Sequence, residues 1–496
     1  MRARFSPLWF LALIGASALG CSDDGDSDSG SDVTIPYNEY SSVPSIGRGT
    51  GTSTDPRDPG YGAMRFFIEN VEEYTKDIGR VVFQPDQSTG REVSALQAGI
   101  QFANKNGPEP LFSRLSWGFI YNSWPFGVRF EQMVDFLYEA ELEIDGFSGN
   151  GIELAQFILD RRGGTQIVLP VIGSTEQVSG YFPQPIGTPD CNEGDDECAS
   201  QGDGVGIEGL CTSGWRLRYL NEPEEVLDIA CDLLVDRQVI PERTLTFFPP
   251  VGGQSVLLPM QRRVIQGFEF TVPSDDFIEF FPIKEATAES PLGDPDAGDL
   301  DCSPALPFPI PDGTVSNCSQ NIGQVGGRYV HSPGWHQPYL MAWMHIDKEV
   351  WNGLSAAQQE AIKRAAKDAL LESYDTTDSV QCERLQNILD INQGIDQRNV
   401  DGTVRLIDGN PVSAAMTLAT WPDEALDVLL DARDELMASR EGPEDPNAKT
   451  DAEQDFSAIW GAVQQYVASI GAEQFDPPTF PGSVGLVPGE ECTLVR

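Results

Sequence analysis

The sequence predicts an α/β protein with mixed or parallel sheets. Segments with helical periodicity alternate with short strand-like segments through residues 60–350, an order typical of this fold class. The chain has 496 residues, which is enough for two or three domains and a large core. Its hydrophobic content of 40% and its 25 Phe residues indicate a globular protein.

The first half of the chain supplies most of the predicted alternation. Helices are predicted where apolar residues recur at helical spacing, over 64–74, 92–102, 130–143 and 152–161. Strands are predicted over 79–83 and 167–172, and the second of these is rich in β-branched residues and therefore buried. Residues 33–60 are rich in Pro, Gly, Ser and Thr, which predicts an irregular lead-in.

The second half begins with strands and ends with helices. Alternation predicts a strand over 214–218, and an apolar run predicts another over 339–344. Ser355 and Gln358 have the spacing of a capping box, so a helix should begin there. Further helices are predicted over 421–439 and 451–470, and the Pro and Gly content from residue 475 predicts an extended strap.

Two long segments interrupt this pattern. Residues 188–208 are acidic and rich in Gly, whereas residues 285–327 are rich in Pro, Gly and Asp. Ordinary loops rarely exceed about 12–15 residues. The two segments are therefore either functional covers or surface decorations.

The N-terminus has the features of an export signal. Arg2 and Arg4 precede an apolar stretch over 8–19, and Ala18-Leu19-Gly20-Cys21 is similar to a bacterial lipobox. Residues 1–20 are predicted to be a signal peptide, with a lipid on Cys21; the alternative is ordinary signal cleavage beside an incidental cysteine. Residues 21–58 then form a predicted disordered tether, because 22–32 contain only Ser, Asp and Gly. We expect a periplasmic or cell-envelope protein held to a bacterial membrane.

The cysteines agree with an exported protein. Removing Cys21 from the nine cysteines leaves eight, an even number that suggests disulfides. Cys191–Cys198 and Cys302–Cys318 are plausible local bridges; a 382–492 bridge would leave 211–231, but other connectivities remain open. A zinc site is the competing interpretation, although the chain has three His and no Cys-x-x-Cys pair.

The net charge of −45 limits the possible partners. A surface this acidic repels phosphate backbones, so we predict no nucleic-acid binding. If the ligand is an anion, a local arginine must supply the attraction. Arg218, in the strand predicted over 214–218, could do so, because its planar guanidinium matches a carboxylate in geometry. Alternatively, Arg216 or Arg218 pairs with surface carboxylates.

Four phrases of the sequence resemble the solute receptors of TRAP transporters, the tripartite ATP-independent periplasmic systems. The first is Pro-Gly-Trp-His at 333–336, followed by Trp-Asn-Gly-Leu-Ser at 351–355. The second is the polar segment 173–186, which is similar to a phrase of the branch that binds 2-oxo acids, with Tyr181 in place of its Trp. The third and fourth are 214–218 and 261–276. The resemblance spans roughly residues 60–375.

The resemblance implies roles for particular residues. Arg218 takes the position of the arginine that pairs with the ligand carboxylate. Gln177, Glu269 and the carbonyl of Phe270 take the positions of metal ligands, which suit a hard cation such as sodium or calcium. The substitutions around Glu269 depart from the family phrase. The residues expected to contact the substrate are Arg218, Gln177, Tyr181, Phe182 and Trp335, although Trp335 is equally a candidate for the core.

The resemblance also implies the domain organisation. It predicts a two-lobed fold of the periplasmic-binding-protein type, with a hinge and a ligand cleft. The expected division is lobe 1 at 59–172, completed by 270–335, lobe 2 at 173–269, completed by 336–375, and C-terminal helices with a strap at 376–496.

The function implied is capture of a small organic acid and its delivery to the membrane permease subunits of a TRAP transporter. No enzyme activity is expected, and the membrane is reached through the lipid anchor only. The alternatives are a carboxylate-binding sensor or scavenger without a permease, an exported enzyme, and a purely structural surface lipoprotein.

Overall fold

The computed structural model describes residues 31–40, 55, 62–85, 93–97, 115, 117–144, 146–189, 202, 204–219, 221–249, 256–280, 321–399 and 403–471. The predicted signal peptide, Cys21 and the strap from residue 475 lie outside these residues. So do most parts of the two long segments and the cysteines at Cys191, Cys198, Cys302, Cys318 and Cys492.

Sixteen strands occur in the described residues. They are β1 Val33–Tyr40, β2 Val81–Pro85, β3 Val93–Gln97, β4 Leu142–Ile144, β5 Phe147–Gly149, β6 Gln166–Ser174, β7 Gly180–Phe182, β8 Thr188–Pro189, β9 Arg216–Arg218, β10 Thr246–Phe247, β11 Gly267–Phe268, β12 Tyr329–Ser332, β13 Leu340–Asp347, β14 Leu406–Ile407, β15 Asn410–Pro411 and β16 Thr417–Thr420.

Twelve α-helices accompany these strands in the described parts of the chain. They are α1 Met64–Thr75, α2 Phe130–Tyr138, α3 Gly151–Arg161, α4 Gly206–Cys211, α5 Asn221–Asp236, α6 Leu257–Gln261, α7 Pro273–Phe280, α8 Ile322–Val325, α9 Lys348–Asn352, α10 Ala356–Asp390, α11 Asp423–Glu441 and α12 Asp451–Ile470. A short 3₁₀ helix covers Gly118–Tyr121.

Two mixed sheets organise the molecule, which confirms the predicted α/β class. The first has the strand order β2-β1-β3-β13-β6, in which β13 runs antiparallel to both neighbours. The second has the order β10-β9-β11-β7-β12-β16-β8. The chain passes from the first sheet to the second between β6 and β7, and this short connection carries Gln177. Two hairpins, β4-β5 and β14-β15, stand apart from these sheets.

The sequence signals for α10 are realised in the structure. The Gln358 amide donates to Ser355 Oγ at 3.2 Å, and the Ser355 amide donates to Gln358 Oε1 at 2.9 Å. This capping box satisfies two backbone donors that the first turn leaves unpaired. One face of α10 is apolar and buried, and with it α10 packs against β6, α1 and α7; its residues include Ile362, Ala365, Ala366, Ala369 and Leu370.

Two predicted elements were wrong. Residues 33–40, assigned to the tether and lead-in, form β1, which pairs with β2 and β3. Residues 93–97, assigned to a helix over 92–102, form β3 between β1 and β13. In both cases pairing with strands distant in the sequence overrides the local pattern.

The strands also reverse the expected completion of the lobes. β12 lies in the stretch 270–335 that was assigned to lobe 1, yet it belongs to the second sheet with β7. β13 lies in the stretch 336–375 that was assigned to lobe 2, yet it belongs to the first sheet with β6. Moreover, 376–496 is not only helical, because β16 enters the second sheet between β12 and β8.

The disulfide between Cys211 and Cys231 is present, with an S–S distance of 2.01 Å. It ties the end of α4 to α5. Cys382 is also disulfide-bonded, and its partner lies outside the described residues, so a 382–492 bridge stays a prediction. Among the described helices, none combines the length and apolar character that a membrane span requires.

Candidate functional site

The connection between β6 and β7 is held by the turn at 333–337. The Gln177 amide donates to the carbonyl of Gln337 at 3.2 Å, and Gln177 is fully buried. Gly334 packs directly on this connection: a Cβ added there would lie 2.0 Å from the carbonyl oxygen of Gln177. The Pro-Gly turn that the sequence singled out therefore fixes the backbone of a predicted ligand residue.

Ser179 fastens the same connection to three other parts of the chain. Its amide and its hydroxyl donate to the carbonyl of His331 at 2.8 and 2.9 Å. Trp421 Nε1 donates to Ser179 Oγ at 2.5 Å, and the Tyr219 hydroxyl donates to the Ser179 carbonyl. Because Tyr219 directly follows Arg218, this carbonyl also links the connection to the predicted ligand arginine.

The Trp421–Ser179 hydrogen bond leads to a first prediction. Trp421→Phe keeps a large ring but removes the indole N–H, so we expect a loss of about 0.5–1.5 kcal/mol in the free energy of unfolding. The amide hydrogen of Ser179 should also exchange faster with solvent, because the Oγ of the same residue no longer accepts a hydrogen bond from Trp421. Denaturant unfolding and amide hydrogen exchange measure the two effects; unchanged exchange at Ser179 would show that Trp421 does not restrain the connection.

Arg218 ends β9 and is 2% exposed. Its Nη1 donates to the backbone carbonyl of Glu269 and lies 3.4 Å from Glu269 Oε2, while its guanidinium carbon lies 5.5 Å from the centroid of the Phe270 ring. Burial lowers the pKa of Arg218, and the negative charges of Glu269 and Asp276 oppose that shift. The guanidinium therefore does not point into bulk water, as a surface ion pair would require.

Glu269 and Gln177 approach each other through His336. β11 lies between β9 and β7, with Phe268 opposite both Arg218 and Tyr181, which places Glu269 at the ends of these strands. His336 Nε2 lies 3.3 Å from Gln177 Oε1 and 3.8 Å from Glu269 Oε1. All three side chains are fully buried.

Tyr181 and Asp276 form a second buried pair beside Arg218. The Tyr181 hydroxyl donates to Asp276 Oδ2 at 2.7 Å, and the Tyr181 ring stacks on Phe268 with centroids 5.1 Å apart. Burial raises the pKa of Asp276 well above its usual range; the hydrogen bond from Tyr181 opposes this shift, and the charges of Asp275 and Glu269 add to it. Asp276 therefore lies beside the Arg218–Glu269 pair in a setting that disfavours its charged form.

Phe182 and Trp335 lie in the core of the second sheet. Both side chains are fully buried. The Phe182 ring lies 4.9 Å from that of His331, and Trp335 stacks on Phe126 at 5.8 Å. The sequence allowed Trp335 to be either a substrate contact or a core residue. Its contacts in the structure are those of a core residue that supports the turn at 333–337.

Polar atoms in this cluster are incompletely bonded. Within the described residues, Gln177 Nε2, Glu269 Oε1 and His336 Nδ1 are buried and have no hydrogen-bond partner. Leaving a buried polar group unsatisfied costs about 1–3 kcal/mol, and such groups usually have a partner. The cluster therefore has both donors and acceptors available for a polar ligand.

The structure provides oxygen donors of the kind that hard cations prefer. They are the side-chain oxygens of Gln177 and Glu269 and the carbonyl of Phe270, which follows Glu269 directly. Over the described ranges, no group of three or more His, Cys, Asp or Glu residues is arranged to hold a metal. A cation here would thus depend largely on neutral oxygens and on the ligand itself.

The structure brings together four of the predicted site residues, Arg218, Glu269, Phe270 and Gln177, and joins to them four residues that were not predicted: His336, Tyr219, Ser179 and Trp421. His336 belongs to the Pro-Gly-Trp-His segment at 333–336, and Tyr219 directly follows Arg218. Their closeness in sequence to predicted site residues could therefore have indicated both. An open depression of about 590 Å³ bounded by Tyr138, the β4-β5 hairpin and Gln465 contains none of the predicted site residues.

Comparison with known proteins adds structural neighbours. No protein-family model and no curated protein matches the sequence. A TRAP transporter solute-binding protein from Bordetella bronchiseptica RB50, with calcium and picolinate in its active site, is 11% identical, with a TM-score of 0.51 over 89% of this chain and 93% of its own. A TRAP periplasmic solute-binding protein from Colwellia psychrerythraea, with bound calcium and pyruvate, is 14% identical, with a TM-score of 0.51 over 89% and 96%. The chain therefore has the two-lobed α/β fold of TRAP transporter periplasmic solute-binding proteins.

Proposed function

We propose that this protein is an extracytoplasmic receptor that binds a small organic acid and delivers it to the permease of a TRAP-type transporter. The observation that carries the proposal is the buried guanidinium of Arg218 beside Glu269, in a chain whose net charge is −45. A charge is costly to bury without compensation, and an arginine remains protonated when desolvated. A carboxylate ligand would be a second anionic group beside Arg218, and its geometry matches the planar donors that the single 3.4 Å contact with Glu269 does not use in a paired manner.

The charges of the cluster favour a carboxylate together with a cation. Arg218 and Glu269 compensate each other at 3.4 Å, and burial raises the pKa of Asp276, so the site disfavours further negative charge. A ligand carboxylate alone would therefore add one uncompensated negative charge to a buried site. Gln177, Glu269 and the carbonyl of Phe270 would hold a hard cation, which would supply positive charge beside the ligand. The fold neighbours with calcium and picolinate or calcium and pyruvate support this combination.

Tyr181 and Phe182 belong to the proposal in different ways. The Tyr181 ring stacks on Phe268, and its hydroxyl is bonded to Asp276, so Tyr181 is placed to shape the ligand side of the cluster. Phe182 and Trp335 act through the backbone that they support. The predicted lipid on Cys21 would keep the receptor beside the membrane that carries the permease.

Ligand identification tests the proposed function. Mass spectrometry of the acid released from purified protein should find a small carboxylate, and the same acid should raise the thermal midpoint in a panel of organic acids that includes pyruvate and picolinate. A panel in which no acid shifts the midpoint, together with protein that carries no acid, would exclude the receptor function.

A second prediction concerns cation removal. If the cation lies beside the ligand carboxylate, each enhances the binding of the other by the same factor. Exchange into a chelator with choline as the only cation should weaken binding of the identified acid about tenfold or more, the range of a coupling of about 1–3 kcal/mol. Isothermal calorimetry measures this, with calcium or sodium added back as the control. Equal affinity in all three buffers would contradict a bound cation.

A further inference from the structure

The hairpin formed by β14 and β15 projects from the molecule. Leu406 and Ile407 are neighbours in β14, so their side chains point to opposite faces of the hairpin. They are nevertheless 56% and 52% exposed. The turn between the strands is Asp408-Gly409, with φ of 52° and 84°, as in the tight turns that favour Asp-Gly. Neither face of the hairpin is therefore covered by the parts of the chain that the structure describes.

Arginines surround the base of this hairpin. The Arg405 amide and Nη1 donate to the backbone and side-chain oxygens of Gln397 at 2.8 and 2.7 Å. The next residue, Arg398, donates its amide to the carbonyl of Gln324 in α8 at 3.1 Å. Arg263 packs on the end of the same helix, because its Nη1 lies 2.3 Å from the position of a Cβ on Gly326. α8 thus brings arginines from two distant parts of the chain together.

The hairpin and the arginines around its base form a group that we call the hairpin face: Arg263, Val264, Arg398, Arg405, Leu406 and Ile407. Val264 is 39% exposed beside Arg263. Two causes lower the pKa of Arg263 to about 10: first its partial burial, and second the positive charge of Arg405, which lies nearby. Positive charge is therefore concentrated with exposed apolar surface.

This concentration is unusual in so acidic a chain, which has 77 Asp and Glu against 32 Lys and Arg. Neither Arg263 nor Arg405 forms an ion pair with a carboxylate of the described residues. Charges further away than the Debye length of about 8 Å at physiological salt are screened. A partner in contact with the hairpin face would therefore respond to local arginines rather than to the net charge of −45.

We propose that the hairpin face contacts a phospholipid surface with anionic headgroups. The guanidinium groups pair with phosphate oxygens, and Leu406 and Ile407 enter the interfacial layer, where partly apolar surfaces are accommodated. A rigid protein partner would cover one side of such a hairpin, whereas a lipid interface accepts both. The lipid predicted on Cys21 would hold the chain beside such a surface. The contact through the hairpin face would then be a second attachment to the membrane, in addition to the predicted lipid anchor.

Vesicle binding tests this contact. The mature chain from residue 22, which lacks the predicted lipid, is incubated with vesicles of phosphatidylcholine alone or of an equimolar mixture with phosphatidylglycerol, and co-sedimentation is measured. Binding should be several-fold stronger to the mixed vesicles and should weaken with added salt. Arg405→Gln should weaken it about fivefold, the contribution of one basic residue near an anionic surface. Leu406→Ser should also weaken it, whereas Asp408→Asn should strengthen it.

Matched controls lie elsewhere on the surface. Arg237→Gln removes an exposed arginine that pairs with Asp431, and Val239→Ser removes an apolar side chain that is 53% exposed. Neither should change vesicle binding. Equal binding to both vesicle types, or equal effects of control and hairpin variants, overturns the proposal. A thermal shift with inorganic phosphate but no vesicle binding would overturn it in favour of a small-anion site. A dimer that Ile407→Ser dissociates, without vesicle binding, would assign the face to a second copy of the chain.

Discussion

Arg218→Ala is expected to abolish carboxylate binding while leaving the protein folded. The substitution removes the planar donors from a buried site, and losing one partner of a buried charge pair costs about 2–5 kcal/mol, or roughly 30- to several-thousand-fold in affinity. Arg218→Lys should recover little, because an ammonium group cannot make the paired hydrogen bonds of a guanidinium. Calorimetry with the identified acid measures the change.

The same strand provides the control. Arg216 is exposed and lies two residues before Arg218, so Arg216→Ala should bind the acid with the affinity of the unchanged protein. Because Arg218→Ala also leaves Glu269 without its guanidinium neighbour, Arg218→Ala/Glu269→Gln should regain part of any lost stability. Folded Arg218→Ala protein with unchanged affinity would refute the assigned role of Arg218.

Gly334→Ala is expected to displace the connection that carries Gln177. The added methyl group would lie 2.0 Å from the carbonyl oxygen of Gln177 and 3.1 Å from its carbonyl carbon, and the Gln177 amide nitrogen, 3.4 Å away, is hydrogen-bonded to Gln337, so displacement of this residue strains that bond. We expect a loss of about 3 kcal/mol in the free energy of unfolding, at the upper end for overpacking, together with weaker ligand binding. Denaturant titration and calorimetry measure these two effects.

Gly461→Ala is the matched control for this substitution. Gly461 lies within α12, and a Cβ there meets no atom within 4 Å. Alanine at this helical position should be neutral or stabilising by about 0.5–1 kcal/mol. If Gly334→Ala were as stable as Gly461→Ala, the close approach of the turn to Gln177 would not constrain the site.

Local signals in the sequence predicted the parts of the fold that depend on neighbouring residues. The start of α10 at Ser355 follows from a capping box that acts over three residues, and α12 follows from apolar residues that recur from Phe456 to Val467, over about three turns. β3 was missed because residues 92–102 also match a helical pattern, and its strand form depends on pairing with β13, about 250 residues later.

For the site as well, the sequence indicated residues that lie in short motifs but not contacts between distant parts of the chain. Arg218 and Glu269 were found because short phrases resemble those of a known family, and the structure brings them within 3.4 Å of each other. The hydrogen bond from Trp421 to Ser179 joins residues 242 positions apart, so no local pattern could indicate it. The assignment of β12 to the second sheet and of β13 to the first could not be predicted either, because the short segments that connect the two sheets resemble ordinary loops in composition.

The position of β16 bears on the order in which the two sheets can form. β8 pairs with β16, and β16 pairs with β12, so one edge of the second sheet is assembled only after residue 420 has emerged. Secretion delivers the N-terminal residues first, and pairing across some 230 positions is slow to form. The strands of the first sheet all precede residue 348, so in the proposed export the first sheet can be complete while the second still waits for β16.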